Sequence, residues 1–343
     1  MKQVIVEEFG GVDQLQLVEL PTPDPQPGEV RVRLTSIGMN HADLMARAGK
    51  YKIASGEPPF TPGLEGGGVI EAVGEGVDES RLGQRVSISP DAPRISSPAF
   101  VGGTYVTHYV CPADKALPAP DAVPDEQLGS LWLAYLTAWG CLVWKEGIGA
   151  GSVVALPAAS SSVALAAAQI VKNLGGTTIG LTTSPQKVDA LEAMDSAMYD
   201  HLVVTHEPDG EMRPWHRDMK RMTDGRGVDV FFDPVAAGPY LGKEILCLAQ
   251  HGTVWVYGLL GQPGVVDVTP LIRKRAAVRG WVVGEVVGAG DEVWRRGCQE
   301  IFQGFESGAY RQHVDKTFPL DDVRAAHEEM EKGKHIGKLV LVP

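Results

Sequence analysis

Apolar residues recur in two rhythms along this chain. Over the first third they come in short runs, Val4–Val6, Leu15–Leu20, Val30–Ser36, Val69–Val73, Arg85–Ile88 and Thr104–Val110, parted by Gly and Pro clusters. Runs at a spacing of roughly 8–12 residues predict the short strands of a barrel-like β module. The connector Pro21-Thr-Pro-Asp-Pro-Gln-Pro-Gly28 excludes helix and central strand, because proline lacks the N–H that either needs. After Pro118–Pro124 the rhythm changes. Asp125–Val143 has a helical period with an acidic first turn. A buried strand over Ser152–Leu156 then leads to a helix over Ser162–Leu174, a strand over Thr177–Thr182, a helix over Pro185–Met194 and a strand over Leu202–Val204. Further β-rich runs follow at Val228–Phe232, Thr253–Tyr257 and Ala277–Val283. Such alternation predicts parallel βαβ units and an α/β class with a doubly wound sheet. Beyond Gly284 the pattern predicts one helical run, Asp291–Phe302, then the segment Phe318–Glu331 and a terminal strand, Lys338–Val342.

Composition narrows the possibilities. The 343 residues suit about two domains at roughly 100–200 residues each. A hydrophobic fraction of 44% excludes wholesale disorder. Lys and Arg number 31 against 43 Asp and Glu, and the net charge of −12 repels nucleic acid and anionic lipid alike. The cysteines Cys111, Cys141, Cys247 and Cys298 are far apart without C-x2-C spacing, which argues against a disulfide scaffold and a cysteine-rich zinc module. The N-terminus MKQVIVEEFG has no apolar run of signal-peptide length, and the most apolar stretch, Val153–Val171, is broken by Pro157 and three serines. The expectation is a cytoplasmic protein that acts on a small molecule, with no nucleic acid or membrane partner.

Candidate chemistry begins at the first strand–turn–helix of the second half. A dinucleotide pyrophosphate needs a buried strand, a tight turn and backbone N–H groups at a helix N-terminus. The segment Ser152–Gln169 has that order, but Ser160, Ser161 and Ser162 stand where glycines are usual, followed by Val163 and Ala164. Serine hydroxyls donate to phosphate oxygens, whereas a Cβ restricts positive φ. An ordinary βα turn with a serine N-cap is the competing reading. At the end of the next strand, Leu181-Thr-Thr-Ser-Pro-Gln-Lys187 brings Thr183, Ser184 and Lys187 and no carboxylate before Asp189. An acid there would hold a ribose 2′-hydroxyl; hydroxyls with a cation favour a 2′-phosphate, hence NADP(H) over NAD(H). A lysine in that position is more commonly just solvated.

The chain resembles the medium-chain dehydrogenase/reductase superfamily, in its zinc-independent quinone oxidoreductase-like branch. The resemblance runs in order through Gly38-Met-Asn-His-Ala-Asp-Leu-Met45, Arg47–Tyr51, Pro62–Gly74, Leu136–Trp139, the strand–turn–helix above, Asp224–Val235, Gly252–Leu260 and Gly333–Leu341. It implies a GroES-like β-rich catalytic domain, 1–122 and 286–343, interrupted by a Rossmann NADP-binding domain, 123–285. Zinc-dependent relatives place a Cys after the glycine turn and a His–Glu pair after Pro-Gly. Here those positions hold Met39 or Asn40, and Leu64 before Glu65, so no metal is expected; His41 alone makes no site.

Without a metal to polarise oxygen, the hydride acceptor must be easier to reduce, as a quinone or a conjugated alkene or carbonyl is. The resemblance places Asn40, Asp43 and Tyr51 near the nicotinamide, with Tyr51 as phenolic donor or packing surface and Asp43 as substrate contact or loop anchor. It brings Thr137, His206 and Lys338 toward the cofactor, and Tyr257, Gly258 and Leu259 to the nicotinamide at the sheet's carboxyl edge. Each has a plainer alternative: helix interior for Thr137, exposed loop for His206, core for Leu259, terminal-strand solvation for Lys338. Relatives pair through the strand edge near Ala277–Val283, so a homodimer through the Rossmann sheet is expected. Two other functions stay open, a zinc-type alcohol dehydrogenase and a weakly catalytic dinucleotide-binding regulatory or structural protein. Segments 51–62 and 90–103 would decide the substrate.

Overall fold

The computed structural model describes residues 1–52, 56–92, 95–97 and 100–343. In chain order the strands are β1 (Lys2–Val6), β2 (Leu15–Glu19), β3 (Glu29–Gly38), β4 (Gly67–Val73), β5 (Arg85–Ile88), β6 (Ile95–Ser97), β7 (Phe100–Gly102), β8 (His108–Pro112), β9 (Ala116–Pro118), β10 (Val153–Pro157), β11 (Thr177–Thr182), β12 (His201–Val204), β13 (Val228–Asp233), β14 (Leu248–Val256), β15 (Ala277–Gly280), β16 (Val314–Pro319) and β17 (Lys338–Val342). The α-helices are α1 (His41–Arg47), α2 (Trp132–Ala138), α3 (Ser162–Asn173), α4 (Pro185–Met194), α5 (His216–Met222), α6 (Gly238–Cys247), α7 (Thr269–Lys274), α8 (Gly284–Gly288), α9 (Asp291–Glu306) and α10 (Val323–Glu331).

The first compact unit comprises Met1–Ala134 and Cys298–Pro343. Its main sheet has the order β16-β17-β3-β4-β5-β9, with β8 also on β3. Strand β3 shows why: Val30, Val32 and Leu34 alternate inward with a period of two and are buried. They meet Ile37, Phe60, Tyr105, Leu339 and Leu341 in one core, so the last strand of the chain is built into the first sheet.

The second unit, Tyr135–Gly297, is a six-stranded sheet of order β12-β11-β10-β13-β14-β15 with every pairing parallel. The chain starts centrally at β10, runs out to β12 and crosses back to β13. That reversal puts a topological switch point at the carboxyl ends of β10 and β13, where open α/β sheets bind ligands. Helix α3 buries Ala164, Leu165, Ala166, Ala167, Ala168 and Ile170; its small residues allow close approach to the sheet.

The structure corrects two sequence expectations, and its compact units divide at other residues than the resemblance implied. The unit boundaries fall at 134/135 and 297/298 instead of 122/123 and 285/286. Residues beyond 122 stay with the β-rich unit because Gly38 N–H donates to Gly129 O at 2.7 Å and Gly129 N–H to Ser36 Oγ at 2.8 Å. The helix expected over Asp125–Val143 is divided into a 3-10 turn, Asp125–Gln127, then α2, then a π-helical segment, Trp139–Lys145. There the Thr137 carbonyl accepts from Trp281 Nε1 at 2.9 Å, and an external donor of this kind accompanies local widening of a helix. Within Phe318–Glu331, β16 ends at Pro319, paired in parallel with β17, a 3-10 turn covers Leu320–Asp322 and α10 follows from Val323. The expected strand Thr104–Val110 begins only at His108. Among the described residues no helix is long and apolar enough to cross a membrane.

Candidate functional site

In the second unit, the carboxyl edge of the sheet gathers the hydroxyl-rich turns. Strand β10 ends at Pro157, and Ala158 turns the chain with φ of 51°, the left-handed region where a Cβ costs energy. Ser161 then caps α3, its N–H donating to Ala158 O at 2.8 Å and its Oγ accepting Ala164 N–H at 3.2 Å. Ser160 is buried, and its Oγ accepts from Lys187 Nζ at 2.9 Å, while Ser184 Oγ caps α4. Burial lowers the pKa of Lys187. Ser160, Ser161, Ser184 and Lys187 are thus brought together, with Ser162 and Val163 as the first residues of α3 and Thr183 just before Ser184. The strain at Ala158 yields a prediction: Ala158→Gly raises stability by about 0.5–1 kcal/mol, read from the urea midpoint at unchanged m.

Other expected cofactor residues spread along the same edge. His206 Nδ1 lies 2.9 Å from Thr205 Oγ1, and burial, then the charge of Lys243, lowers its pKa. Tyr257 stacks on Phe232 with ring centroids 4.1 Å apart, and its N–H donates to Asp233 O at 2.9 Å. Gly258 is required by close approach, since a Cβ there would come within 2.9 Å of Pro234 O. Leu259 is 67% exposed, not core. Thr137 is buried. Sequence reasoning missed Asp233, whose carboxylate accepts Val235 N–H at 2.6 Å and Ala236 N–H at 2.9 Å and so sets the loop after β13. It also missed Glu244, a buried acid whose pKa burial and the neighbouring Asp233 charge push well up.

In the first unit, Asn40, Asp43 and Lys338 form one polar cluster with Glu65. Lys338 Nζ donates to Glu65 Oε1 at 2.5 Å and to Asn40 Oδ1 at 2.6 Å, and both charged side chains are 1% exposed. Asn40 Nδ2 donates to Glu65 Oε1 and Gly38 O, each at 3.1 Å, and Leu133 N–H to Glu65 Oε2 at 3.0 Å. Asp43 accepts Asn40 N–H at 2.8 Å on Oδ2 and Gly63 N–H at 3.2 Å on Oδ1. It therefore anchors the start of α1 to the Pro62–Glu65 turn. Tyr51 packs half-buried on the core. Residues 53–55, 93, 94, 98 and 99 of the expected substrate segments lie outside the described residues.

The metal-ligand positions of zinc enzymes are filled by apolar or already satisfied groups. Met39 is buried, Leu64 packs on the core, Glu65 Oε1 and Asn40 Oδ1 accept from the Lys338 ammonium, and Glu65 Oε2 accepts from Leu133 N–H. Among the described residues no three His, Cys, Asp or Glu side chains come together as a ligand set.

Two buried titrating groups give a pH signature. Burial pushes Asp43 up to about 6, against the two backbone N–H groups and Lys338, while burial and then the Arg47 guanidinium push His327 down to about 3. A raised acid binds its proton longer when folded, so Asp43 makes stability fall as pH rises between roughly pH 4 and 6. A depressed histidine does the opposite between roughly pH 3 and 6.5. The two effects oppose each other from roughly pH 4 to 6. Removing the histidine titration in His327→Gln is expected to unmask the fall, seen as a denaturation midpoint higher at pH 4.5 than at pH 6.5 relative to wild type.

Residues 26–121 match the alcohol dehydrogenase GroES-like domain family, and residues 200–341 the zinc-binding dehydrogenase family. The chain is 28% identical to the human synaptic vesicle membrane protein VAT-1 homolog, over 100% of this chain and 86% of that protein. It is 27% identical to a 2-haloacrylate reductase of Burkholderia sp, over 99% and 98%. The crystal structure of Escherichia coli quinone oxidoreductase complexed with NADPH superposes with a TM-score of 0.83 at 27% identity, covering 100% of both chains. Two matched domain families in their expected order and a parallel sheet with its switch point at β10 and β13 agree: the chain belongs to the medium-chain dehydrogenase/reductase superfamily, in its quinone oxidoreductase-like branch.

Proposed function

We propose that this chain is an NADPH-dependent oxidoreductase that delivers hydride to a quinone or to an alkene or carbonyl activated by conjugation, without a metal ion. The observation that carries the reading is the Ser160–Lys187 link: an ammonium held at the N-terminus of α3 beside three serines, with no carboxylate on that turn. These groups suit phosphates, since hydroxyls, helix N–H groups and an ammonium all donate. Ser160, Ser161, Ser162 and Val163 would hold the pyrophosphate, Thr183, Ser184 and Lys187 the 2′-phosphate, and His206 the adenosine end. Thr137, Tyr257, Gly258 and Leu259 would orient the nicotinamide. NADPH supplies the hydride when bound. The Escherichia coli relative complexed with NADPH and the Burkholderia reductase, named for an activated alkene, support the cofactor and acceptor class.

The Lys338 ammonium in the Glu65–Asn40 nest supports the metal-free half of the reading, because a divalent cation there would face an existing positive charge. Tyr51 is the candidate proton donor; undiminished turnover in Tyr51→Phe would assign the proton to water. Fluorescence titration with NADPH and NADH, followed by a screen of quinones and enones for NADPH oxidation, tests the whole. Absence of binding to either nucleotide at millimolar levels would sink it in favour of a structural role, and stoichiometric zinc would return the alcohol dehydrogenase reading.

We also propose a homodimer formed edge to edge through β15, the outermost strand of the parallel sheet. Apolar side chains near it are unusually open: Ile272 is 81% exposed and Val282 48%. Sedimentation is expected to give a dimer, and Ile272→Lys with Val278→Lys to shift it toward monomer. A monomeric wild type at micromolar concentration would overturn this.

A further inference from the structure

We propose that His327, on the last helix of the chain, is a positioning residue for Asp43, acting through the Tyr105 hydroxyl and held in one tautomer by Arg47. The four side chains form a chain through the buried interior of the first unit, each at most 4% exposed. Arg47 Nη1 lies 3.1 Å from His327 Nδ1, His327 Nε2 3.3 Å from Tyr105 Oη, and Tyr105 Oη 3.3 Å from Asp43 Oδ2.

Donor logic gives this chain a direction. A guanidinium has only donors, so His327 Nδ1 must accept. The neutral imidazole therefore carries its proton on Nε2 and donates to the Tyr105 oxygen. With that lone pair engaged, the phenolic proton is directed at Asp43 Oδ2. The two 3.3 Å links are long and individually weak, so what the chain contributes is orientation and polarity. Its far end is fixed as well: Arg47 Nη2 donates to Glu331 and Nε to Gly10 O at 3.2 Å.

The near end matters because, among the described residues, Asp43 receives besides Tyr105 the Asn40 and Gly63 backbone N–H groups. Those two bonds fix Asn40, which holds Lys338, and the turn that carries Glu65. Gly63 is at φ of 106°, and a Cβ there would come within 2.7 Å of Tyr105 Cδ1, so the turn is pressed against the same tyrosine. A donor from Tyr105 keeps the Asp43 carboxylate an acceptor for both N–H groups; without it a buried carboxylate loses one of three donors. The consequence for turnover rests on the proposed reductase reading; the tautomer and the anchoring do not.

Three variants test it: His327→Gln, whose amide can accept from Arg47 and donate to Tyr105, His327→Leu, which can do neither, and Tyr105→Phe. The ¹⁵N spectrum of the wild-type imidazole is expected to show the proton on Nε2 of His327; a proton on Nδ1 overturns the proposal. Amide exchange at Asn40 and Gly63 is expected to speed up roughly tenfold in His327→Leu and Tyr105→Phe and to stay within about twofold in His327→Gln. Equal acceleration in Leu and Gln variants, or none in Tyr105→Phe, overturns it. Should His327→Leu fail to fold, the Tyr105→Phe and His327→Gln pair decides alone. On an accepted enone or quinone, kcat should follow the same order with the NADPH Kd unchanged. If no acceptor is turned over, the function reading fails while the exchange and tautomer results stand.

Discussion

Lys187→Ala is expected to weaken NADPH binding roughly 10–100-fold while NADH affinity changes less than about threefold. The ammonium is held to Ser160 Oγ, is partly withdrawn from water, and has no carboxylate in the turn it faces. A charge-assisted bond to a phosphate dianion contributes about 1.5–3 kcal/mol, and only NADPH carries that phosphate. The same lysine also ties the β10–α3 turn to α4, so a second effect must be separated from the first. Ser160→Ala removes that tie without removing the charge. It is expected to weaken both nucleotides alike, by only about threefold. Parallel loss of NADPH and NADH in Lys187→Ala would mean the lysine braces the turn and does not select the cofactor. Fluorescence titration of the two proteins with both nucleotides decides between them.

Much of the second unit was legible because parallel strands buried on both faces announce themselves as continuous apolar runs, as in β10 and β11. The serine turn was legible for a local reason: strand, turn and helix are contiguous from Ser152 to Gln169. Helix α5 escaped notice, being only 7 residues long, and α6 did so because Gly238 and Pro239 open it. The helix break before α2 was also hidden, because Gly129 owes its conformation to Ser36, ninety-three residues away. The polar cluster of the first unit was legible only in pieces. Asn40, Asp43 and Lys338 were identified by resemblance, but no local pattern indicates that Lys338 closes on Glu65 across 273 residues. The same distance in sequence concealed Tyr105 and His327. A histidine within an amphipathic helix such as α10 carries no mark of what it will meet, whereas its spacing to Ala326 and Met330 marks only a buried face.

The largest stability effect is expected at that hidden pair. Lys338→Met is predicted to cost about 3–5 kcal/mol in urea unfolding, out of a total of about 5–15 kcal/mol for a typical domain. With the ammonium gone, the Glu65 carboxylate keeps, among the described residues, Asn40 Nδ2 and Leu133 N–H as donors, and it is buried from solvent. Glu65→Leu is expected to be as damaging from the other side, by leaving Lys338 with Asn40 Oδ1 as its acceptor among the described residues. The double variant Lys338→Met with Glu65→Leu should recover to within about 2 kcal/mol of wild type, since two buried charges then disappear together. Additive losses in the double variant would instead mean that each side chain acts separately, through packing or through Asn40. Stability and activity should part company here. A double variant that folds well yet binds NADPH normally and turns over poorly would show that the pair is retained for the placement of Asn40. Recovery of both properties would show that an apolar filling serves the site equally well, and that Asn40 is placed by Asp43 without help from Lys338.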